Sequence, residues 1–278
     1  MVVIGSVNLD MAASVMRLPV AGETITDAEL KRFPGGKGAN QALAAKRLGA
    51  DVSLIACVGD DANADEALAL LAEGAVDLSA CVRDERHPTG VALISVAPSG
   101  ENQIVVAPGA NRALRPEMFS IPAADALIGQ LEVPVATLRY AVESFDGFVC
   151  LNLAPATQVP DALIRRADLI VVNETEAIFY GESLKQLDGL LARTFGAEGA
   201  ELSRSGDTVA KAEPPRVAAV DATGAGDAFT AALTVAIVEG QALEASLAFA
   251  CAAGAAAAMK AGAQPSLPYR GEVEALMS

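Results

Sequence analysis

Tryptophan is absent from this 278-residue chain, and aromatic residues make up only 4% of it. The single histidine, His87, rules out HExxH zinc chemistry, and a Ser-His-Asp triad would depend on that residue alone. Lys and Arg number 20 against 35 Asp and Glu, so the net charge is −15. Nucleic acids and anionic membrane surfaces are bound through clustered positive charge, so the composition disfavours both partners.

Cysteine is sparse as well. The four cysteines are far apart in apolar sequence, with no CxxC pair: Cys57, Cys81, Cys150 and Cys251. This pattern is typical of buried free thiols in a reducing compartment. The chain opens on an apolar run typical of a buried strand, and we expect no signal peptide. The most apolar stretch, 247–259, is mostly alanine and too short to span a bilayer. We therefore expect a cytoplasmic protein.

Hydrophobic residues make up 52% of the chain, which predicts a globular fold with a large core. Short β-rich runs alternate with helical stretches, which is typical of βα units around a parallel sheet. The predicted strands are Val2–Gly5, Val52–Val58, Ala126–Leu131, Gly147–Asn152, Asp168–Val172, Leu190–Thr194 and Arg216–Val220. The predicted helices are Gly38–Leu48, Ala64–Glu73, Val135–Glu143, Ala228–Glu239 and Leu243–Met259.

Two regions, 12–34 and 89–107, interrupt this alternation. Within the second, Val91–Ala97 and Gln103–Ala107 read as two alternating strands around the turn Pro98-Ser99-Gly100-Glu101. Alternation implies one buried and one exposed face. We expect a small antiparallel sheet, built from both regions, that covers the end of the main sheet of a single domain spanning 1–278.

The segment Asp221-Ala222-Thr223-Gly224-Ala225-Gly226-Asp227 is the sharpest motif, placed between a predicted strand and an apolar helix. The small residues Gly224, Ala225 and Gly226 let a ligand approach backbone N–H groups at a helix N-terminus, which favours an anion. Asp227, next to such an anion, could take a hydroxyl proton during phosphoryl transfer. The alternative is a simple capped helix. A Rossmann fingerprint fits less well, because Phe229 replaces its third glycine.

A second glycine-rich turn, Gly35-Gly36-Lys37-Gly38-Ala39-Asn40-Gln41, also enters a helix. It lacks the spacing of a Walker A loop. Its N–H groups, Lys37 and Asn40 could bind a polyhydroxylated ligand, although an ordinary glycine-rich helix start explains the pattern equally well.

Polar groups recur where apolar strands end. They are Asn8 and Asp10, Glu132, and Asn173 with Glu176. Each set is compatible with turn chemistry alone. Because the carboxyl ends of parallel strands share one edge of a sheet, we expect these groups and the Asp221–Asp227 segment to meet there.

On these motifs the chain resembles the ribokinase-like family of sugar and nucleoside kinases, nearly from end to end. The resemblance implies a three-layer α/β/α fold with a small β lid. It also implies phosphoryl transfer from ATP with Mg²⁺ and K⁺, D-ribose as the sugar, and a homodimer joined through the lid.

The resemblance also implies residue roles. Asp227 would be the catalytic base, with Gly224, Ala225 and Gly226 as the anion hole. The sugar would be held by Asn8, Leu9, Asp10, Gly36, Lys37, Gly38, Ala39, Asn40 and Glu132. The nucleotide would lie along Asn173, Glu176, Thr194, Phe195, Gly196, Ala197, Glu198, Gly199, Gly226, Asp227 and Cys251. Potassium would be bound by Asp221, Thr223, Ala257, Lys260, Gly262 and Ser266.

The connection between Asn173 and Thr194 departs from the family pattern. It is barely long enough for a parallel crossover, and the helix expected within it is shortened to about 184–190. Three functions remain open: a kinase for D-ribose, a kinase for another sugar or a nucleoside, and a catalytically weak sugar- or nucleotide-binding protein.

Overall fold

The computed structural model describes residues 1–99 and 101–278, and its two sheets contain thirteen strands within those ranges. Gly100, in the expected turn 98–101, lies outside the described residues. The strands are β1 Val2–Ile4, β2 Asn8–Ser14, β3 Glu29–Gly35, β4 Ser53–Gly59, β5 Cys81–Asp84, β6 Gly90–Val96, β7 Asn102–Ala107, β8 Ala126–Gln130, β9 Phe148–Asn152, β10 Leu169–Asn173, β11 Leu190–Thr194, β12 Ala200–Arg204 and β13 Asp207–Ala212.

The main sheet has nine strands in the order β13-β12-β11-β10-β9-β8-β1-β4-β5. Pairing is parallel from β5 to β11, and β12 and β13 add an antiparallel hairpin at one edge. Alternate residues of each central strand face opposite helical layers: Val3 lies in one core cluster, and Val2 and Ile4 lie in the other. Burial on both faces explains the continuous apolar runs.

Helices cover both faces of this sheet, which confirms the expected three-layer architecture. They are α1 Lys37–Arg47, α2 Ala62–Glu73, α3 Val135–Glu143, α4 Asp161–Arg166, α5 Glu174–Tyr180, α6 Ala225–Val238, α7 Leu243–Ala258, α8 Ala263–Ser266 and α9 Arg270–Leu276. The helices α6 and α7 pack closely through buried alanines. A Cβ on Gly254 of α7 would lie 3.2 Å from the Ala225 carbonyl oxygen, so glycine permits this close approach.

The second sheet has four strands in the order β3-β2-β6-β7. Its β2–β6 pair is parallel and the other two pairs are antiparallel, so the sheet is mixed rather than purely antiparallel. Arg32 of β3 anchors the sheet to α2 through Asn63 and Glu66. The hairpin β6–β7 agrees with the expected alternating strands, whereas β2 begins at Asn8, earlier than the region 12–34.

Two further sequence expectations about local structure were wrong. Arg216–Val220 is irregular rather than a strand, and β13 forms the edge of the main sheet instead. The expected helix at 184–190 is also absent. The crossover instead uses α5, directly after β10, and a 3₁₀ turn at Gly181–Gln186.

Within the described ranges, the helices that form are all too short or too polar to cross a membrane.

Candidate active site

The four-stranded sheet carries two buried polar side chains toward the main sheet. Asn8 and Asp10 alternate along β2 and face the same side, so they belong to a strand and not to the turn that the sequence left open as the alternative. Leu9, between them, faces the opposite side and is fully buried in the core. Asn111 fixes Asn8 by donating a hydrogen bond from Nδ2 to Asn8 Oδ1 at 2.8 Å.

Glycines make room for these side chains. A Cβ on Gly35 would approach Asp10 Oδ2 to 2.3 Å, and a Cβ on Gly90 would approach Asn8 Oδ1 to 2.2 Å. Gly36 has a φ of 90° and lies against the Asn8 backbone, so a side chain there would be both strained and crowded. The Gly35–Gly38 turn is therefore shaped around the two polar residues of β2.

The start of α1 lies against Glu132, which follows β8. Glu132 Oε2 accepts hydrogen bonds from Ser6 Oγ and, at 3.2 Å, from the Lys37 backbone N–H. Gly38 packs directly on Gly5, and a Cβ on Gly38 would lie 2.5 Å from the Gly5 carbonyl carbon. Ala39 is fully buried in the core. Of the residues expected to hold sugar, Leu9 and Ala39 thus have core side chains.

Charge is concentrated around Lys37. Burial alone would lower the pKa of the Lys37 ammonium, but the carboxylates of Asp227, Glu132 and Glu176 hold it above its ordinary value. For Asp10, burial raises the carboxyl pKa to about 7, with further contributions from the negative charges of Glu132 and Asp227.

Asp227, in the first turn of α6, is buried and held by two amide donors from α1. Asn40 Nδ2 donates to Asp227 Oδ2 at 2.8 Å, and Gln41 Nε2 donates to Asp227 Oδ1 at 2.9 Å. The carboxylate thus lies between the sugar-side residues and the N-terminus of α6.

The turn before Asp227 is open to a ligand. Gly224 adopts the left-handed conformation, with a φ of 81°, and starts α6. The Ala225 N–H is already bonded to the Ala222 carbonyl at 3.1 Å. For the N–H groups of Gly226 and Asp227, the described part of the chain supplies no acceptor. Gly226 also has open space where a Cβ would stand. This site fits an anion.

The residues expected around potassium lie close together. The Asp221 carboxylate accepts hydrogen bonds from the Thr223 N–H and hydroxyl, at 2.9 and 2.6 Å, and from the Gly262 N–H at 2.9 Å. Burial alone would raise the Asp221 pKa, but these bonds hold it below its ordinary value. Ser266 is buried, and its hydroxyl donates a hydrogen bond to the Ala263 carbonyl. The Lys260 N–H donates to the Ala257 carbonyl, whereas the Lys260 ammonium pairs with Glu272.

On the other side of Asp227, a cavity of about 210 Å³ runs along the carboxyl ends of β10 and β11. Its polar lining includes Lys37, Asn173, Glu176 and Thr194, together with Gly224 and Gly226. Asn173 and Glu176 form a capping box at the start of α5. Burial raises the pKa of Glu176, opposed by the Asn173 N–H and by Lys37.

A second cavity, of about 440 Å³, begins at Phe195 and Glu198 and continues along β12 and β13. The segment 194–199 ends β11 and forms a 3₁₀ turn at Gly196–Glu198, with a φ of 56° at Gly196 and 99° at Gly199. Cys251 of α7 lies beside this cavity, with Sγ 3.7 Å from the Ala212 carbonyl oxygen. The first cavity is thus lined by five of the expected nucleotide residues, Asn173, Glu176, Thr194, Gly226 and Asp227, and the second by Phe195 and Glu198. The remaining four, Gly196, Ala197, Gly199 and Cys251, line neither cavity.

Sequence reasoning missed five polar residues of the site: Ser6, Gln41, Asn111, Gln130 and Asn152. The first three bond Glu132, Asp227 and Asn8, respectively, and the last two bond Gln41. Gln130 and Gln41 were visible as neighbours of named positions, but nothing in the sequence separates them from core or surface amides. A further cavity, of about 450 Å³, lies beside Arg83, Arg86, His87 and Arg115 and shares no residue with this site.

Comparisons with known proteins match the whole chain. Haemophilus influenzae ribokinase is 35% identical, covering 97% of this chain and 95% of that protein. Bacillus subtilis ribokinase is 36% identical, covering 99% and 98%. Among solved structures, Thermotoga maritima ribokinase superposes with a TM-score of 0.91 at 31% identity, covering 99% of this chain and 98% of that one.

Arabidopsis thaliana ribokinase, solved in complex with ribose and ATP, superposes with a TM-score of 0.90 at 30% identity and covers 100% and 98%. The model of the pfkB family carbohydrate kinases matches residues 1–270. This chain therefore belongs to the pfkB carbohydrate kinase family.

Proposed function

We propose that this protein is a ribokinase, which transfers the γ-phosphoryl group of ATP to the O5 hydroxyl of D-ribose. The observation that carries the proposal is the position of Asp227. Its carboxylate lies between the polar cluster of β2 and α1 and the cavity that begins at Gly224–Gly226. Full-length relatives at 35 and 36% identity are named ribokinases, which supports D-ribose over other acceptors.

Asp227 is the general base of this reaction. As O5 attacks the γ-phosphorus, the O5–phosphorus bond forms, the bond from phosphorus to the bridging oxygen breaks, and Asp227 takes the hydroxyl proton. ADP is the leaving group. The N–H groups of Gly226 and Asp227 face the negative charge that develops on the phosphoryl oxygens, which is the main protein contribution to such reactions.

The sugar binds between β2 and α1. The Asn8 amide donates hydrogen bonds to its hydroxyls and the Asp10 carboxylate accepts hydrogen bonds from them. Asn40, Lys37, Glu132 and the Gly36–Gly38 backbone complete the sugar site. Leu9 and Ala39 contribute backbone position and packing only, since their side chains lie in the core. The Asn40 Oδ1 atom is buried and has no protein partner among the described residues, which suits a ligand hydroxyl.

ATP lies along the two cavities, with its phosphates at Gly224–Gly226 and its base beside residues 194–199 and Cys251. Mg²⁺ bound with the nucleotide would neutralise phosphate charge. The lining of the 210 Å³ cavity includes the carboxylates of Glu176 and Asp227 and the amides of Asn173 and Asn152. The described residues contain no group of three His, Cys, Asp or Glu side chains fit to hold a metal. A position with so few protein ligands agrees with a metal that is held mainly by phosphate oxygens and water.

Potassium binds beside the phosphate turn. The donors are oxygen atoms: the Asp221 carboxylate, the Thr223 and Ser266 positions and the backbone of Ala257, Lys260 and Gly262. An oxygen donor set suits a hard cation. Asp221 already ties the turn to Gly262, so a cation there would stiffen the backbone that carries the Gly226 and Asp227 N–H groups.

The four-stranded sheet serves as a lid and as the dimer contact. Its face on the Asp10 side continues into the apolar side chains of Ile94, Ile104 and Val106, and the last two are exposed. A face of this kind favours pairing with a second copy. Four free thiols, three of them buried, agree with a cytoplasmic location.

A coupled ADP-release assay over a panel of sugars and nucleosides tests the function. Turnover with D-ribose as the preferred acceptor is the expected result. Preference for another sugar or a nucleoside would overturn the assignment of substrate, and sugar or ATP binding without turnover would overturn the kinase assignment itself.

A further inference from the structure

A buried row of side-chain amides connects the main sheet to Asp227. Gln130 and Asn152 are the last residues of β8 and β9 and are paired in register, so their side chains share a face. Both reach Gln41 of α1, and Gln41 reaches Asp227. Gln130 and Gln41 are fully buried. Asn152 also lines the 210 Å³ cavity beside Asp227, whereas Gln41 and Gln130 do not.

The hydrogen bonds fix which end of the Gln41 amide faces Asp227. Gln130 Nε2 donates to Gln41 Oε1 at 2.5 Å, and Gln41 Nε2 donates to Asp227 Oδ1 at 2.9 Å and to Asn152 Oδ1 at 3.1 Å. With the opposite orientation, the Gln41 carbonyl would face two acceptors and its NH₂ would face a donor. Asn152 is itself held by a bond from Nδ2 to the Val171 carbonyl at 3.2 Å.

The row is enclosed by backbone. A Cβ on Gly5 would lie 1.9 Å from Gln130 Oε1, so only glycine leaves the Gln130 amide in its place. The Gly5–Gly38 contact brings α1, and with it Gln41, close to β1 and β8. Gly5 and Gly38, which bring the Gly35–Gly38 turn close to the sheet, therefore also set the distance from Gln130 to Gln41.

We propose that Gln41, oriented by Gln130 and Asn152, is a positioning residue that holds Asp227 Oδ1 and leaves Oδ2 as the atom that takes the acceptor proton. The inference rests on the proposed function, in which Asp227 is the general base. Among the described residues, Asp227 Oδ2 is bonded only to Asn40 Nδ2, a sugar-side group at the ligand boundary. An acceptor hydroxyl can reach Oδ2, whereas Oδ1 stays bonded inside the protein.

Substitution of Gln41 tests this arrangement. A hydrogen bond to an ionised group corresponds to roughly 10- to 100-fold in an equilibrium or rate. Gln41→Leu should lower kcat by about that factor, with the KM for the sugar unchanged. Gln41→Glu keeps the volume but places a second carboxylate against Asp227 Oδ1, and it should lower kcat further, again with the KM for the sugar unchanged.

Other charges face Asp227 and stay constant in this comparison. They are Lys37 from α1, Asp10 from β2 and Glu132 after β8. Gln130→Met is the second variant: it leaves the Gln41 donor present but unoriented, and should lower kcat by a smaller factor than Gln41→Leu does. Thr234→Val is the matched control, since it removes a buried hydrogen bond on α6 that does not involve Asp227.

A measurement without turnover separates this inference from the proposed function. The Asp227 carboxyl carbon can be observed by ¹³C NMR in the unliganded protein and identified by its loss in Asp227→Asn. Its chemical shift should change in Gln41→Leu and stay unchanged in Thr234→Val. Unchanged chemical shifts and unchanged kcat in all Gln41 and Gln130 variants that fold would overturn the positioning role, whether or not D-ribose is the substrate.

Discussion

Replacing Asp10 with asparagine should stabilise the protein at neutral pH while it weakens sugar binding. Asp10 is buried on β2, and burial with the negative charges of Glu132 and Asp227 raises its carboxyl pKa to about 7 from an ordinary 3.8. Between these two pH values the folded chain binds a proton that the unfolded chain does not. The free energy of unfolding therefore falls as pH rises through this window.

The two pKa values differ by about three pH units, and each unit corresponds to about 1.4 kcal/mol. Ionised Asp10 thus costs the fold at most about 4 kcal/mol above pH 7, and almost nothing near pH 4. Asparagine has nearly the same shape and fits the space that Gly35 leaves, but it carries no charge. We expect the stabilisation by Asp10→Asn to grow as pH rises from 5 to 8.

Urea denaturation of the two proteins at pH 5, 6.5 and 8 measures this difference directly, since the other titrating groups are common to both. Asp207→Asn, at the exposed first residue of β13, is the matched control and should show no such trend. If the stability difference between Asp10→Asn and the unmutated protein stays constant from pH 5 to 8, the reasoning about burial is refuted. In the unmutated enzyme, the KM for D-ribose should rise below pH 7, because the sugar hydroxyls bind the ionised carboxylate.

Three further outcomes follow from the site and the lid. Asp227→Asn should lower kcat by about 10²- to 10⁴-fold with little change in ribose affinity, and near-normal turnover would remove Asp227 from the role of base. Potassium should raise kcat above its value in a sodium buffer of equal ionic strength, and Asp221→Ala should abolish the difference; a rate that ignores potassium in the unmutated enzyme contradicts the cation site. Light scattering should give about twice the chain mass of 28.3 kDa. Ile104→Asp should give the monomer mass and Val105→Asp, on the opposite face of β7, should not; a monomeric unmutated protein would exclude the lid contact.

The central strands could be predicted from the sequence because burial on both faces leaves continuous apolar runs, as in β4 and β8. The β12–β13 hairpin was missed, although Ser205-Gly206 carries the signal. Both residues have positive φ, 52° and 89°, as a two-residue hairpin turn requires. Strand β3 gave no such signal, since it is mostly exposed, charged and contains Pro34. Its pairing depends on β2, which lies far away in sequence.

The glycine-rich turns and the Asp221–Asp227 segment were visible because their spacing is local. The contacts that surround the Asp227 carboxylate could not be predicted from the sequence. Gln41 and Asp227 are separated by 186 positions, and no pattern in either segment refers to the other. Leu9 shows a second limit of sequence reasoning. It was expected to hold the sugar together with Asn8 and Asp10, but alternation along β2 turns its side chain into the core.

Because 186 positions separate Gln41 from Asp227, the sugar-side residues are synthesised well before the catalytic carboxylate. By the time β9 has left the ribosome, the five strands from β5 to β9 across the sheet are available, and so are Asn8, Asp10 and α1. Neither Asp227 nor the turn before it has then been made. Domains fold as units, and a nascent chain of this kind exposes its unfinished face until α6 and α7 arrive. A polyhydroxylated ligand could meet its polar cluster on the unfinished chain, but catalysis begins only with the last fifth of the protein.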